Sequence, residues 1–130
     1  MNGVKYLLDT NMVIGLLKGS EAAISLAEQL KLEMNQCVIS QITRMELLGY
    51  PKINTHDENM ILAFLNECEI ALINESIEET AIRLRRSGKF KLPDAIVAAT
   101  AITYQLKTAT LDKGMIQGLQ HLGYEQNTIH

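Results

Sequence analysis

The sequence contains little cysteine, and its cysteines and histidines do not have the spacing of a structural metal site. Cys37 and Cys68 are the only two cysteines, which is too few for a disulfide scaffold, and they do not form a Cys-x-x-Cys pair. The histidines, His56, His121 and His130, are isolated from one another, so none fits a zinc site. We therefore expect two reduced thiols in the core.

The sequence also lacks a hydrophobic segment long enough to cross a membrane. Its longest apolar run, near residues 95–103, falls well short of the ~20 residues that a transmembrane helix needs. An acid, Asp9, follows the first apolar run before the core of a signal peptide could form. These absences predict a cytoplasmic protein without a membrane partner.

No excess of basic charge marks the chain as a nucleic-acid binder. The 12 Lys and Arg residues are outnumbered by 15 Asp and Glu residues, which gives a net charge of −3 at pH 7. Any polyanionic partner must therefore meet a local basic patch or bound metal ions. No repeat or flexible linker divides the chain, so its 130 residues predict a single domain, residues 1–130.

Short apolar segments alternate with amphipathic segments along the chain. The apolar segments predict four strands, at residues 4–8, 37–39, 70–73 and 108–110. The amphipathic segments, counted from their capping residues, predict helices at 11–18, 20–30, 40–48, 57–65, 76–88, 94–104 and 115–122. The tail from Tyr124 is too polar to assign, although an edge strand is one option. Alternating strands and helices predict a three-layer α/β/α sandwich around a short parallel sheet.

Polar residues set the expected starts of these helices. Ser20 and Ser40 are expected N-caps, and Ser76 with an acid three residues later forms a capping-box pattern. Asp57 or Glu58 is expected to open the helix before the third strand. The helix at 94–104 is apolar on nearly all sides, which predicts a central position in the fold.

Four acids stand where the pattern places them against apolar surroundings. Asp9 follows the first strand and Asp112 follows the fourth, so both lie at the carboxyl edge of the sheet, where open α/β sheets bind ligands. Glu46 lies one turn after Ile42 and is expected to be at least partly buried, and Asp94 opens the apolar helix. Four acids at one edge would repel one another without a cation, and such hard oxygen ligands suit Mg²⁺ or Mn²⁺.

Each acid also has an ordinary structural explanation. The acids that follow the first and fourth strands can simply cap the next helix. Glu46 can pair with Arg44 or Lys52, or lie exposed at the border of the apolar stripe. Asp94 can do no more than favour the dipole of its helix. Taken singly, the four residues leave these alternatives open.

Four segments taken together resemble the PIN domain, and in particular the VapC-type toxins of bacterial and archaeal toxin–antitoxin pairs. In chain order they are LLDTN at 7–11, ISQITRMEL at 39–47, LPDAIVAATA at 92–101 and TLD at 110–112. The resemblance extends from residue 4 to about residue 122. It departs from the family where the last motif often continues to an aromatic residue three positions after its acid, because this chain has Met115 there.

The resemblance implies a metal-dependent ribonuclease that hydrolyses RNA in line and leaves a 5′-phosphate and a 3′-hydroxyl. The family's catalytic and metal-binding acids match Asp9, Glu46, Asp94 and Asp112. Asp9 and Asp94 would bind Mg²⁺ or Mn²⁺ directly, and the other two would complete the site or act through water. Polar residues that would orient these acids are Asn11, Ser40, Thr43 and Thr110. The resemblance also implies an antitoxin protein as a partner, and a homodimer.

A basic segment, residues 83–91, lies just before the third acid. It contains Arg83, Arg85, Arg86, Lys89 and Lys91. Because guanidinium groups bind phosphate through two parallel contacts, the segment is a candidate RNA-binding surface. It can also be a solvated helix face that pairs with the glutamates at 78 and 79, or a surface for an acidic antitoxin tail.

Two other functions remain open from the sequence. A PIN-like module could bind RNA or protein without cutting, although all four acids are present. An aspartate-dependent phosphohydrolase could use the acid after the first strand as its nucleophile. Such enzymes typically place a second acid two residues later, where this chain has Asn11.

Overall fold

Four short parallel strands form the centre of the fold. They are β1 (Tyr6–Leu8), β2 (Cys37–Ser40), β3 (Glu69–Ala71) and β4 (Lys107–Ala109), in the spatial order β3-β2-β1-β4. Every pairing is parallel, with Leu7 opposite both Val38 and Thr108. This computed structural model describes residues 5–129, so Val4, predicted in the first strand, and His130 lie outside the described residues.

Seven α-helices surround the sheet within residues 5–129. They are α1 (Thr10–Lys18), α2 (Glu21–Leu30), α3 (Gln41–Leu48), α4 (Thr55–Asn66), α5 (Glu75–Arg86), α6 (Leu92–Tyr104) and α7 (Lys113–His121). Short 3₁₀ turns lie at Met34–Gln36 and Glu125–Asn127. In the part of the chain described, no helix is both long and apolar enough to cross a membrane.

The core lies on both faces of the sheet. Side chains of successive strand residues point to opposite faces, so Leu7 joins one apolar cluster and Leu8 the other, and both are fully buried. The first cluster joins the sheet to α5, α6 and α7, and the second joins it to α1, α2 and α4. The predicted three-layer α/β/α sandwich with a parallel sheet is confirmed.

Helix α6 occupies the central position that its apolar composition predicts. It packs against α3, α5 and α7 and against strands β2 and β4. Its small residues, such as Ala95, Ala98 and Ala99, are fully buried, which allows close approach on several sides. The helix begins at Leu92, two residues before the predicted start, and Asp94 lies in its first turn.

Two other helix starts differ from the prediction because asparagine, not serine or an acid, provides the cap. Helix α4 begins at Thr55, where the Asn54 side chain accepts a hydrogen bond from a backbone N–H at 2.7 Å. It therefore starts before the predicted Asp57 or Glu58. Asparagine caps helices as well as serine or aspartate does.

Helix α5 shows the same difference. The Asn74 side chain accepts a hydrogen bond from the Ile77 backbone N–H at 2.9 Å. The helix begins at Glu75, so Ser76 lies inside its first turn and the predicted capping box is wrong.

The C-terminal tail does not add a strand to the sheet. Residues Glu125–Asn127 form a 3₁₀ turn. The buried Asn127 side chain donates hydrogen bonds to the backbone carbonyls of Ala101 and Leu106, at 3.1 and 2.9 Å. Both cysteines are free thiols, with Cys37 buried and Cys68 half-buried, as expected.

Candidate functional site

Asp9 lies at the carboxyl end of β1 and is also the N-cap of α1. Its Oδ1 accepts a hydrogen bond from the Met12 backbone N–H at 2.9 Å, and its Oδ2 accepts one from the Thr110 hydroxyl. Only 8% of the residue is exposed. Burial raises the pKa of Asp9 above its ordinary value, the negative charges of Asp112 and Asp94 raise it further, and the two hydrogen bonds oppose the rise. Asp9 therefore both caps α1 and belongs to a group of neighbouring acids.

Asp94 lies in the first turn of α6 and is half-buried. Burial raises the pKa of Asp94, and the negative charges of Asp112 and Glu46 raise it further. Lys91 opposes this shift and lowers the pKa. The Asp94 carboxylate therefore lies in a field that is negative on balance. The favourable helix dipole, which is the ordinary explanation for an acid at this position, does not account for that field.

Asp112 follows β4 and is the N-cap of α7. Its Oδ1 accepts hydrogen bonds from the backbone N–H groups of Gly114 and Met115, at 2.8 and 3.4 Å. Its own backbone N–H donates to the Thr110 hydroxyl at 2.9 Å. Because the same hydroxyl donates to Asp9, Thr110 joins the ends of β1 and β4 and holds these two acids in a fixed relation.

Glu46 is exposed, so its predicted partial burial is wrong. Helix α3 buries Thr43 and Leu47, which are four residues apart, and Ile42 is only half-buried. The buried stripe is therefore displaced by one residue from the expected one, and Glu46 lies at its border.

Glu46 nevertheless has a defined contact. The Thr10 hydroxyl donates to Glu46 Oε1 at 2.6 Å. Within residues 5–129 the only ion pair joins the residue before β1 to the first residue of β3, so Glu46 pairs with neither Arg44 nor Lys52. Burial is the main cause of the raised pKa of Asp94, and the charges of Asp112 and then Glu46 add to it.

The four supporting polar residues behave differently from one another. Thr110 contacts two acids, as described. The Ser40 hydroxyl accepts a hydrogen bond from the Ile42 backbone N–H at 3.4 Å and caps α3, as predicted. Thr43 is fully buried, and its hydroxyl has no hydrogen-bond partner among residues 5–129. Asn11 is exposed, and within the described residues its side chain makes no hydrogen bond.

Thr10 contacts an acid, whereas the predicted supporting residue Asn11 does not. Thr10 is the residue between Asp9 and Asn11 in the first motif, and it begins α1. The sequence did carry a signal for Thr10, because its hydroxyl directly follows an acid at the carboxyl edge of the sheet.

The acids fit a divalent cation in chemistry but do not form a closed ligand set. Within residues 5–129, no three acidic, histidine or cysteine side chains are arranged to hold a metal ion. Their oxygens face backbone N–H groups and threonine hydroxyls instead. Burial is the main cause of the raised pKa values of Asp9 and Asp94, and the negative charges of neighbouring acids add to both shifts. Carboxylate oxygens in a negative field are the ligands that Mg²⁺ and Mn²⁺ prefer.

The basic segment 83–91 is exposed at all five of its basic residues. Arg85 Nη1 donates to the Phe90 carbonyl at 2.9 Å, and Arg83 Nη2 donates to the Thr80 hydroxyl at 3.3 Å. No ion pair to the glutamates at 78 and 79 forms within the residues described. Lys91 is near enough to the acids to lower the pKa of Asp94, so the segment adjoins the acidic cluster.

An apolar groove of about 310 Å³ lies beside Glu46, between α1, α3 and α4. The apolar side chains that line it include Ile14, Leu17, Leu47, Tyr50, Met60 and Ile61. Tyr50 is 65% exposed and Met60 is 37% exposed. An exposed apolar groove of this kind is typical of an interaction surface.

Comparison with known proteins gives a family and several similar structures. The model of the PIN domain family matches residues 6–118. A chain in a toxin–antitoxin complex from Klebsiella pneumoniae is 31% identical, with a TM-score of 0.74, and the match covers 97% of each chain. A comparison with curated proteins finds no match.

Two further structures show the same fold at lower identity. FitAcB from Neisseria gonorrhoeae is 24% identical with a TM-score of 0.72, and the match covers 88% of this chain and 93% of that chain. VapBC2 from Rickettsia felis, bound to a promoter DNA fragment, is 19% identical with a TM-score of 0.72, and the match covers 93% of this chain and 95% of that chain.

Proposed function

The chain belongs to the PIN domain family, and on that basis we propose that it is a metal-dependent endoribonuclease, the toxin of a toxin–antitoxin pair. The single observation that carries the proposal is the acidic cluster, defined as Asp9, Glu46, Asp94 and Asp112. These acids come from elements that are distant in the sequence, and the pKa values of Asp9 and Asp94 are raised, chiefly by burial and further by the charges of neighbouring acids. Perturbed carboxylates gathered at a ligand-binding edge are typical of catalytic sites.

In this proposal the acids hold one or two Mg²⁺ or Mn²⁺ ions. Asp9 and Asp94 would bind the metal directly, and Glu46 and Asp112 would complete the site or act through water. Bound metal would activate a water for in-line attack on the phosphodiester and offset the charge of the transition state. The products are a 5′-phosphate and a 3′-hydroxyl.

The remaining polar residues act through the acids. Thr110 fixes Asp9 by its hydrogen bond and holds the end of β4 beside it. Ser40 caps the helix that carries Glu46. The buried Thr43 and the exposed Asn11 are retained as supporting positions from the resemblance alone.

The basic segment 83–91 is proposed to bind the RNA backbone. Its basic side chains are exposed and adjoin acids that would themselves repel a phosphodiester. Exposed arginines supply contacts to phosphate that are independent of base sequence.

The partners follow from the relatives. Because the similar chain from Klebsiella pneumoniae occurs in a toxin–antitoxin complex, we propose an antitoxin protein as partner. The apolar groove beside Glu46 suits the apolar face of an antitoxin helix. We also propose that the protein forms a homodimer, as the resemblance implies, and that it acts in the cytoplasm.

Cleavage of RNA in the presence and absence of metal tests this function. The purified protein should cut single-stranded or loop RNA in Mg²⁺ or Mn²⁺ and should stop when EDTA is added. Asp9→Asn, purified identically, controls for contaminating nuclease. Cleavage that persists in EDTA and in the variant would contradict the proposal. Binding of RNA without cleavage in metal would favour the non-catalytic PIN-like module.

A further inference from the structure

Glu46 is an exposed residue with a long side chain, and a single contact fixes its carboxylate. That contact is the 2.6 Å hydrogen bond that Thr10 Oγ1 donates to Glu46 Oε1, across 36 residues of sequence. Within residues 5–129, it is the only hydrogen bond of this carboxylate. The distance is that of a hydroxyl bound to an ionised carboxylate, which is stronger than a hydrogen bond between neutral groups.

Thr10 lies where the end of β1 meets the start of α1. It is the first residue of α1 and directly follows Asp9, whose carboxylate is fixed by Met12 and Thr110. Threonine is β-branched, so its side chain has few rotamers and its hydroxyl direction is restricted. A rigid donor at the end of β1 therefore meets a flexible acceptor on α3.

The contact opposes electrostatic repulsion within the acidic cluster. Glu46 is an acid of the same cluster as Asp9, Asp94 and Asp112, and like charges repel one another in the absence of a cation. An exposed glutamate without a hydrogen bond would turn towards solvent, where its charge is hydrated and its side chain is free to rotate. The Thr10 hydroxyl keeps it at the cluster.

We propose that Thr10 is a positioning residue, whose hydroxyl holds the Glu46 carboxylate at the acidic cluster ready to contribute to binding of a divalent cation. This inference rests on the proposed function, because it assigns Thr10 to the same site. Two adjacent residues would then supply the cluster with two acids. Asp9 contributes its own carboxylate, and Thr10 holds the carboxylate of Glu46 through a hydrogen bond.

Direct measurement of Mn²⁺ affinity tests the proposal without RNA. The proteins compared by titration calorimetry are the parent, Thr10→Val, Thr10→Ser and Thr55→Val. Valine keeps the shape of threonine and removes the hydroxyl, whereas serine keeps the hydroxyl. Thr55 is a matched control because it is exposed and begins α4, just as Thr10 begins α1.

Loss of the hydroxyl should weaken Mn²⁺ binding by about tenfold, the loss typical when a group that orients a metal ligand is removed. Thr10→Ser should stay within about threefold of the parent, and Thr55→Val should bind as the parent does. Equal affinities for Thr10→Val and Thr55→Val would overturn the inference and leave the proposed function intact. A parent that does not bind Mn²⁺ would overturn both.

A double-mutant cycle in EDTA tests the contact itself. The melting temperatures of Thr10→Val, Glu46→Ala and the double variant should be non-additive by about 1–3 °C, because either change removes the same hydrogen bond. Additive shifts would overturn the inference at its first step. Non-additive shifts combined with unchanged Mn²⁺ affinity would show a hydrogen bond without a positioning role, and would also overturn it.

Discussion

The acidic cluster and the basic segment 83–91 carry opposite charge, and the chain assembles them in different ways. The acids come from the end of β1, from α3, from the first turn of α6 and from the residue that caps α7. The basic residues all lie in the last turns of α5 and the loop that follows. The acids therefore become neighbours only when the sheet forms, whereas the cations are neighbours even in the unfolded chain.

The surroundings of the two regions differ as well. The basic side chains are exposed, where charge costs little because water screens it. Asp9 and Asp94 are buried or half-buried beside other acids, and the pKa of each is raised. A raised pKa means that the charged form destabilises the folded state at neutral pH. Such a cost is usually retained where the charge serves function.

The largest expected effect comes from removing one charge of the cluster. We expect Asp94→Asn to lower RNA cleavage by about 10²- to 10³-fold, the loss typical of removing one preorganised electrostatic contact. RNA binding should change little, because the basic segment is intact. Asp57→Asn is a matched control, since Asp57 occupies the first turn of α4 as Asp94 does that of α6. Parental cleavage by Asp94→Asn would place this residue outside the catalytic machinery.

The opposite result is expected for the basic segment. Replacing Arg85 and Arg86 by Ala should weaken RNA binding by about tenfold at low salt. It should also flatten the dependence of log affinity on log salt by about 1.4, because fewer counterions are released from single-stranded RNA. Filter binding across a salt series measures both quantities.

A variant with Lys at both positions is the control for charge. It should keep the parental salt slope, because counterion release depends on charge, even where the two-contact geometry of arginine is lost. An unchanged slope in the Ala variant would mean that RNA phosphates do not contact these arginines, and the segment would then be a solvated face or an antitoxin surface.

The comparison also shows which features local sequence predicts. The strands and their carboxyl edge follow from apolar runs that end at polar residues, and this pattern placed Asp9 and Asp112 correctly at the ends of β1 and β4. The central position of α6 followed from a composition that is apolar on nearly all sides. The basic segment could be found by inspection because it is contiguous.

Contacts between distant segments were not predictable in this way. The Thr10–Glu46 hydrogen bond joins residues 36 apart, and no local pattern encodes it. The sequence left both partial burial and exposure of Glu46 open, because apolar residues on α3 leave the rotation of the helix ambiguous by one residue. Tertiary packing buries Thr43 and Leu47 and leaves Glu46 exposed. The caps Asn54 and Asn74 were missed because nearby serine and acidic residues offered equally good local chemistry.

A smaller effect is expected in thermal stability. In EDTA, Asp94→Asn should melt about 1–3 °C above the parent, because the variant lacks a charge that is partly desolvated and repelled by Asp112 and Glu46. Asp57→Asn should not gain stability, since it loses the same helix-dipole interaction without relieving the cluster. This control separates repulsion from the dipole.

Titration with Mg²⁺ should then reverse the order of the two melting temperatures. A cation stabilises whichever protein binds it, by an amount that grows with the ratio of its concentration to the dissociation constant. Asparagine is the poorer ligand, so the parent should gain more, and the two curves should cross between zero and millimolar Mg²⁺. A variant that melts lower in EDTA and gains as much from Mg²⁺ would reduce Asp94 to a helix-end charge.

The smallest expected effect is the pH dependence of that stability difference in EDTA. The pKa of Asp94 is raised above its ordinary value of 3.8, so the folded state binds the proton more tightly than the unfolded state does. Stability contributed by the protonated form is therefore present below pH 3.8 and is lost as pH rises through the folded-state pKa. The melting temperature of Asp94→Asn minus that of Asp57→Asn should accordingly be smallest near pH 4 and should grow to a plateau at higher pH. The pKa of Asp9 is raised less in Asp94→Asn, which lacks the charge of Asp94, so relief at Asp9 adds to the same rise of the difference with pH. Calorimetric melting at half-unit intervals measures this curve. A difference that stays constant with pH would show that Asp94 ionises as a free carboxylate does, and the repulsion that distinguishes the acidic cluster from the basic segment would then lie with Asp9 alone.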